Sequence, residues 1–233
     1  MATQSTKTRG IRAVPTKDEV YGRLKEAIVD NRLEPGTPLS EERLAAEHGL
    51  SRTPIREILQ RLSRDGLVEI IRNKGAFVSR LDPRDMHELF EMREALEGFA
   101  ARLAAQRIEE GKLAKLDDIF RLLKKRRQGV DAKKLSEAGQ DLHAAIQAAS
   151  GNRRLIQALD GIQLHSRRAF RFSMTIPQRM EISFKEHLPI VSALKRRDPD
   201  AAEAAMRAHL RSAWKSLVAT LTNPYPNRPP IPS

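Results

Sequence analysis

Residues 39–81 read LSEERLAAEHGLSRTPIREILQRLSRDGLVEIIRNKGAFVSRL, and their spacing predicts two short helices followed by a β-hairpin. Ser40 is a favourable helix N-cap, because its hydroxyl can accept a hydrogen bond from an otherwise unpaired amide in the first turn. Leu44 and His48 then follow at helical spacing. Gly49 is expected to end this first helix.

The second helix is predicted to begin at Ser51 or Thr53. Pro54 is tolerated there, since the amide that proline lacks would have no partner in a first turn. The apolar residues of this helix fall at i, i+3, i+4 and i+7 and form one buried stripe: Ile55, Ile58, Leu59 and Leu62. Its other side and its N-terminal end carry Arg52, Thr53, Arg56 and Arg61. The long donors among them suit guanine edges and phosphates in a major groove.

A β-hairpin is predicted directly after this helix. Leu67–Ile71 is a short β-type run after Gly66, Asn73-Lys74-Gly75 forms a turn, and Ala76–Ser79 returns as a second strand. Two helices of this kind followed by such a wing indicate a winged helix-turn-helix, which binds double-stranded DNA.

At these residues the chain resembles the GntR family of bacterial transcription regulators, and the likeness extends over residues 17–81. The runs that carry it are LSRTPIREIL, RLSRDGLVEI and the KGAFV wing. The resemblance implies that Arg43, Arg52 and Arg56 contact DNA and that Gly75 lies at the wing tip. It also implies roles in DNA binding for Thr53, Pro54 and Lys74.

Composition agrees with a polyanionic partner. The formal net charge is +12, and residues 43–80 carry 8 basic against 4 acidic side chains, whereas residues 1–42 carry 7 of each. The chain has no cysteine, which excludes disulfides and thiolate metal sites. We expect a cytoplasmic protein with no membrane association, because no apolar run approaches the roughly 20 residues of a bilayer span and the N-terminus lacks an apolar signal segment.

From Asp82 onward the pattern predicts a second, all-α domain, which makes the whole chain mainly α. Helices are expected from Asp82 through Ala100 and over residues 111–127, 132–150, 152–174, 177–197 and 199–221. Short breaks between them favour an antiparallel helical bundle. The domains are thus predicted at 17–81 and 82–222, between a flexible tail at 1–16 and a proline-rich tail at 223–233.

The order of the two domains resembles the FadR subfamily of GntR regulators, whose C-terminal domain is called FCD. LFEMREALEGFAARLAA and SGNRRLIQAL match the usual pattern of that domain. Three histidines, each on a different predicted helix, lie in segments that match it: His143 in DLHAAIQAASGN, His187 in KEHLPIVSAL and His209 in AAEAAMRAHL. The resemblance implies that they converge on one divalent metal, and imidazole suits zinc, nickel or manganese.

Gly139 departs from the family pattern, which usually places an aspartate four residues before the first of these histidines. Asp141 cannot take its place, because it lies about 200° around the helix from His143. Three outcomes stay open at this point: a metal held by three histidines with water or an effector, a weakened site, or a site that binds no metal.

The resemblance further suggests a small carboxylate effector, bound at the metal and neutralised by a nearby arginine. Arg93 in FEMREALEG matches an arginine that often lines the effector cavity, although it can equally form an i,i+4 salt bridge with Glu97. Arg167 and Arg171 are further candidates, and a stripe of arginines can also be simply solvated.

We therefore expect a homodimeric repressor that binds a pseudo-palindromic operator and responds to a ligand in the bundle, not an enzyme. One alternative is a regulator with a vestigial metal site that binds a larger acyl ligand or none. A metal-dependent hydrolase is a second alternative, but the sequence shows no HExxH motif and no paired carboxylates to serve as a general base.

Overall fold

A computed structural model describes residues 14–125 and 131–222, and the chain divides into two compact units between Arg80 and Leu81. The predicted tails lie outside the described residues except for residues 14–16. Thr16 begins the first helix with a capping box, in which its hydroxyl accepts from the Glu19 amide (3.2 Å) and the Glu19 carboxylate accepts from the Thr16 amide (2.8 Å).

The first unit combines three helices with a small sheet. Its elements are α1 (Lys17–Val29), β1 (Pro38–Leu39), α2 (Glu41–His48), α3 (Arg52–Arg64), β2 (Val68–Ile71) and β3 (Gly75–Val78). The strands are antiparallel in the order β1-β3-β2. This architecture confirms the predicted winged helix-turn-helix.

Local interactions explain the helix-turn-helix. The Ser40 hydroxyl accepts from the Arg43 amide (3.3 Å) at the start of α2, and Gly49 ends that helix in a left-handed conformation with φ of 68°. Ser51 precedes α3 without a side-chain capping bond. The predicted apolar stripe of α3 is fully buried against the other elements: Ile55, Ile58, Leu59 and Leu62.

The sheet differs from the prediction at its edges. Strand β1 was not predicted, since two residues are too few to show alternation; it pairs with β3 through Pro38 opposite Phe77 and Leu39 opposite Ala76. Strand β2 begins one residue later than predicted, and β3 covers Gly75–Val78 in place of Ala76–Ser79. The turn between them uses positive φ at Asn73 (62°) and Gly75 (101°).

The second unit is a helical bundle, as predicted. Its elements are α4 (Pro83–Arg107), α5 (Glu110–Lys125), α6 (Ala132–Ala149), α7 (Arg153–Ser173), α8 (Arg179–Lys195) and α9 (Pro199–Thr222). Helix α4 packs along α9 and against α6 and α7, while α8 packs against α9 and α6. The main apolar cluster draws residues from all six helices, and Phe120, Leu142 and Leu194 are among its most buried members.

Capping residues define several helix ends in the bundle. Asp82 accepts from the amides of the first turn of α4, with Pro83 in the first helical position, and Asn152 does the same for α7. Helix α8 begins at Arg179 instead of Pro177, because Gln178 is left-handed (φ 60°) and cannot belong to a right-handed helix. The predicted end of α5 at Arg127 lies outside the described residues. Within the described part of the chain, none of the helices is both long enough and apolar enough to cross a membrane.

Candidate nucleic-acid interface and metal centre

Arg52 and Arg56 lie on the exposed side of α3, and each forms an ion pair with a glutamate at the start of α2. Arg52 Nη2 lies 2.9 Å from Glu42 Oε1, and Arg56 donates to Glu41 through Nε (3.0 Å) and Nη2 (2.9 Å). Hydrogen bonding from Arg56 lowers the pKa of Glu41, so this carboxylate is ionised at neutral pH. Since 62% of the Arg52 side chain and 63% of the Arg56 side chain stay exposed, an anionic partner can still reach both.

The wing lies beside α3 within the same unit. Lys74 and Gly75 are exposed at its turn, and together with Arg56 they line a groove between α3, β1 and the wing. Apart from the two chain neighbours of Gly75, no described residue has an atom within 4 Å of the position that a Cβ on Gly75 would occupy. Arg43 and Thr53 are exposed as well, whereas Pro54 is partly buried.

Arg61, which the sequence grouped with the DNA-facing side chains of α3, also contacts α1. Its guanidinium lies 3.7 Å from the centre of the Tyr21 ring and donates to Asp18 at 2.8 Å, and both partners belong to α1. The Tyr21 hydroxyl in turn donates to Asp65 just after α3. Arg61 therefore helps to hold α3 against α1.

In the second unit, three histidines converge as the resemblance implied. His143 on α6, His187 on α8 and His209 on α9 each offer one ring nitrogen to a common centre, and these nitrogens all lie within 4.8 Å of one another. The Nε2 atom of His187 lies 3.3 Å from Nε2 of His143 and 3.3 Å from Nε2 of His209. His187 and His209 are buried, and His143 is partly buried.

Carboxylates fix the tautomers of two of these rings. Because a carboxylate only accepts, Nδ1 of His143 donates to Glu97 Oε2 (2.5 Å), and Nδ1 of His209 donates to Glu186 Oε2 (2.8 Å). The Nε2 lone pairs of both rings are then directed toward the common centre. This is the arrangement in which histidines bind metals, with the second ring nitrogen held by a carboxylate.

Each of these carboxylates is itself paired with an arginine. Arg93 donates to Glu97 (2.7 Å), and Arg179 donates to both oxygens of Glu186 (3.3 and 2.9 Å), which also accepts from the Ser212 hydroxyl. Burial opposes ionisation, but it is outweighed: Arg93 and His143 lower the pKa of Glu97 far below its ordinary range, and the hydrogen bonds to Glu186 lower its pKa to about 2. Both carboxylates are thus ionised.

The two buried histidines are neutral at physiological pH. Burial lowers the pKa of His209 to about 4, and burial together with its histidine neighbours lowers the pKa of His187 well below its usual value. Neutral imidazole is the form that binds metals.

The donor set fits a divalent metal ion. Two histidine nitrogens at 2.0–2.1 Å from a tetrahedral ion are separated by about 3.3–3.4 Å, which matches the two observed separations of 3.3 Å. Nδ1 of His187 is buried, and none of the described residues forms a hydrogen bond with it. The Nε2 lone pairs of His143 and His209 both face Nε2 of His187. Without a metal, a single N–H on His187 is the only donor for these two acceptors, whereas a cation can bind all three nitrogens. Three protein ligands leave a coordination position for a further ligand.

A cavity of about 320 Å³ adjoins the three histidines. Apolar side chains contribute the larger share of its wall, and serine and glutamine side chains are interspersed among them: Ser136, Gln140, Gln147, Gln163, Ser166 and Ser183. A cavity of this size, with convergent polar groups, is typical of a small-molecule binding site.

The candidate effector arginines differ in position. Arg93 and Arg167 both line the cavity, and Arg93 also forms the predicted salt bridge with Glu97. Arg171 is absent from the described residues that line the cavity, and its guanidinium contacts Met174 Sδ (3.8 Å). Arg179 lines the cavity and was missed from the sequence, although its i,i+7 spacing from Glu186 places both on one face of α8.

Gly139 and Asp141 are placed in opposite environments on α6. Gly139 is buried and lines the cavity next to the histidines, whereas Asp141 is exposed and is not part of the histidine group.

Family models match both units. A model described as bacterial regulatory proteins, gntR family, matches residues 16–78, and the FCD domain model matches residues 88–212.

Curated relatives match over most of their length. A probable D-xylose utilization operon transcriptional repressor of Paenarthrobacter nicotinovorans is 32% identical over 84% of this chain and 87% of the relative. The Nta operon transcriptional regulator of Aminobacter aminovorans is 31% identical, covering 82% of this chain and 89% of the relative. The HTH-type transcriptional repressor RspR of Escherichia coli K12 is 28% identical, covering 87% and 89%.

Solved structures share the fold. McbR/YncC of E. coli superposes with a TM-score of 0.67 at 20% identity, covering 90% of this chain and 100% of the other. A putative GntR transcriptional regulator of Rhodococcus sp. RHA1 gives a TM-score of 0.66 at 23% identity, covering 87% and 97%.

Proposed function

We propose a function from one premise: the chain belongs to the GntR family of bacterial regulatory proteins, with an FCD domain as found in its FadR subfamily. It is therefore a transcriptional regulator, with a helix-turn-helix domain for DNA and a helical domain of the kind that binds small effectors. We propose further that it is a cytoplasmic repressor, in keeping with relatives that are named repressors.

DNA recognition is assigned to the exposed side of α3 and the neighbouring wing. Arg52 and Arg56 would exchange their glutamate partners for base edges and phosphates, with Arg43 as a third contact. Thr53 and Pro54 at the start of α3, and Lys74 and Gly75 at the wing, would approach the DNA backbone. The groove that joins Arg56 to the wing supports one continuous surface.

The protein would bind its operator as a homodimer. Two-fold symmetry in the protein must be matched by the DNA, so the operator would be a short pseudo-palindrome with half-sites about one helical turn apart or a multiple of it.

His143, His187 and His209 would hold one divalent metal ion, zinc, nickel or manganese, in the bundle. When bound, such an ion supplies a positive charge and a free coordination position for a carboxylate. Glu97 and Glu186 would keep two of the rings in the ligating tautomer, and their arginine partners would keep both carboxylates ionised.

The effector is proposed to be a small polar carboxylate. Arg167 and Arg93 line the cavity and would attract the anion, while serine and glutamine side chains would bind hydroxyl groups on it. The volume of about 320 Å³, at the lower end of the range for ligand pockets, favours this over a larger acyl ligand.

The observation that carries this proposal is the convergence of three imidazoles beside a cavity of ligand size. It is tested by elemental analysis of the purified, untagged protein, with His143→Ala as the matched variant. We expect about one equivalent of metal in the native protein and a loss of metal in the variant. Absence of metal after incubation with zinc, nickel and manganese would contradict the metal centre and leave a regulator that binds a metal-free ligand or none.

The regulatory step needs a separate measurement. The operator is first defined by selection from random DNA with the full chain, and its affinity is then measured at fixed salt with hydroxy acids of two to six carbons, before and after chelation. A hundredfold change in operator affinity requires a differential binding energy of roughly 2.7 kcal/mol between the two states of the regulator. We expect the response to such an acid to vanish with the metal. Arg52→Ala and Arg56→Ala are expected to abolish site-specific binding.

Nothing in the site favours the hydrolase that the sequence left open. The two carboxylates bonded to the histidines, Glu97 and Glu186, are each engaged by an arginine and by a ring N–H, so neither is positioned as a free general base.

A further inference from the structure

Gly139 lies in α6 directly against the ring of His187. A Cβ built on Gly139 would lie 2.7 Å from Cε1 and 3.2 Å from Nδ1 of that ring. The most favourable separation of two non-bonded carbon atoms is about 3.5–4.0 Å, so a separation of 2.7 Å is strongly repulsive. Any side chain at residue 139 would therefore need the space that the His187 imidazole occupies.

The His187 ring is buried and packed against other aromatic rings. Only 3% of the residue is exposed, and its ring contacts Phe120 edge-on as well as the rings of His143 and His209. Interiors packed in this way transmit a displacement to their neighbours instead of absorbing it. A shift of His187 would also change the distances from its Nε2 atom to the Nε2 atoms of His143 and His209, so the three could no longer bind one ion equally well.

We propose that Gly139 is a positioning residue. Because residue 139 has no side chain, the His187 ring can occupy the position in which it binds the metal together with His143 and His209. The inference rests on the proposed metal centre. Gly139 is then matched to the three-histidine arrangement, and replacing it with the aspartate that the resemblance leads us to expect there would displace a ligand.

The coordination consequence concerns the effector. With three protein ligands the ion would keep a position that a fourth protein ligand would occupy, and the cavity adjoins the same histidines. The carboxylate of the effector can fill that position, so metal and effector would each strengthen the binding of the other. Binding of the two would be reciprocally coupled.

The seating of His187 can be tested without metal. Thermal unfolding is measured in a chelator for Gly139→Ala and for Gly161→Ala. Gly161 is a helical glycine in α7, and a Cβ there would meet no atom of the described residues within 4 Å outside its own stretch of helix. Alanine is the better helix former, so Gly161→Ala should raise the Tm by roughly 2–4 °C. Gly139→Ala should instead lower it.

Gly139→Ala in a His187→Ala background distinguishes a clash between the new Cβ and the His187 ring from a general effect of alanine on α6. Once the ring is gone, Gly139→Ala should no longer lower the Tm and should have the same effect as Gly161→Ala. If Gly139→Ala raises the Tm while His187 is present, the position of the His187 ring does not depend on the absence of a side chain at residue 139, and the inference is wrong.

The consequence for the metal is tested by titrating the same proteins with Zn²⁺ and, for its absorption spectrum, with Co²⁺. Gly139→Ala and Gly139→Asp should bind Zn²⁺ roughly tenfold or more weakly than the native chain, and Gly161→Ala should bind it equally well. Tighter binding by Gly139→Asp, with a Co²⁺ spectrum altered by a new oxygen ligand, would overturn the inference. If the native chain binds neither ion while the unfolding cycle behaves as expected, the proposed metal centre fails and the seating of His187 stands.

Discussion

Glu41 and Glu42 illustrate how single residues set the properties of the proposed DNA interface. Each lies in the first turn of α2, where a negative charge is favourable, and each also pairs with an arginine of α3. DNA phosphates must compete with these carboxylates for the same guanidinium groups. Exposed ion pairs of this kind contribute only about 0–1 kcal/mol, so they moderate DNA affinity without preventing binding.

We expect Glu41→Gln to increase affinity for random-sequence DNA by about two- to fivefold, because Arg56 no longer has to leave a carboxylate. Fluorescence anisotropy at fixed salt measures this. The matched control is Glu57→Gln, which removes the same charge from an exposed pair with Lys17 on the same unit. An equal gain from both variants would show that net charge, and not the Arg56 pair, is responsible.

The hydrogen bond between Glu186 and His209 leads to a prediction about metal affinity. Glu186→Gln can still accept from His209 but loses the negative charge and the full pairing of Arg179. Metal affinity should fall by about 10- to 100-fold, as for other carboxylates that orient a histidine ligand. The comparison is Glu181→Gln, an exposed position on the same helix, and isothermal titration with Zn²⁺ gives both values. Equal affinities in the two folded variants would contradict the role of Glu186.

The residues of the candidate metal site differ in how far their roles could be predicted from the sequence. His143, His187 and His209 were found by resemblance, and their convergence in the structure agrees with it. Glu97 appeared only as a salt-bridge partner of Arg93, and Glu186 was not singled out. Which carboxylate faces a ring nitrogen depends on packing between α4 and α6 or between α8 and α9, which no local pattern encodes. The sequence likewise showed that Gly139 lacks a carboxylate, but not that the His187 ring fills its space.

At the scale of elements, capping residues and periodicity made the helices predictable. Ser40, Gly49, Asp82 and Asn152 mark ends by local hydrogen bonding or by backbone conformation, so sequence suffices to place them. Strand β1 and the start of α8 were not predicted correctly. The first depends on pairing with the distant β3, and the second on the left-handed conformation of Gln178, which is not a glycine.

The two serines at helix starts give a matched test of capping. Ser40→Ala removes the acceptor for the Arg43 amide and should destabilise the first unit by about 1 kcal/mol. Ser51→Ala should have a smaller effect, because Ser51 makes no side-chain capping bond to α3. Urea unfolding measures the loss of stability for both variants, and hydrogen exchange in peptides covering α2 and α3 locates it. Faster exchange after Ser51→Ala than after Ser40→Ala would reverse the assignment.

For the whole molecule, the two units carry separate tasks: one holds the exposed arginines and the wing, the other the histidines and the cavity. The proposed metal ion would link three helices of the second unit, α6, α8 and α9. Such an ion binds the folded chain in preference to the unfolded chain, so it contributes to stability by mass action.

Chelation should therefore lower the Tm of the second unit. At a free metal concentration of 100 times Kd the contribution is about 2.7 kcal/mol, and the Tm in a chelator should fall accordingly. Trp214, the single tryptophan of the chain, lies in α9 beside Phe90 and reports unfolding of this unit by fluorescence. His143→Ala is the control, since its Tm should not respond to the chelator. An equal response of the native chain and the variant would show that the chelator acts elsewhere.

The pairing of Arg52 with Glu42 and of Arg56 with Glu41 bears finally on how quickly the regulator finds its target. A chromosome presents millions of wrong sites, and each encounter with them delays arrival at the right one. Because carboxylates within the protein already satisfy both guanidinium groups, random DNA offers little net gain in replacing them. Dwell times on random sequence would be shortened, and the regulator would spend more of its time in free diffusion between segments of the genome.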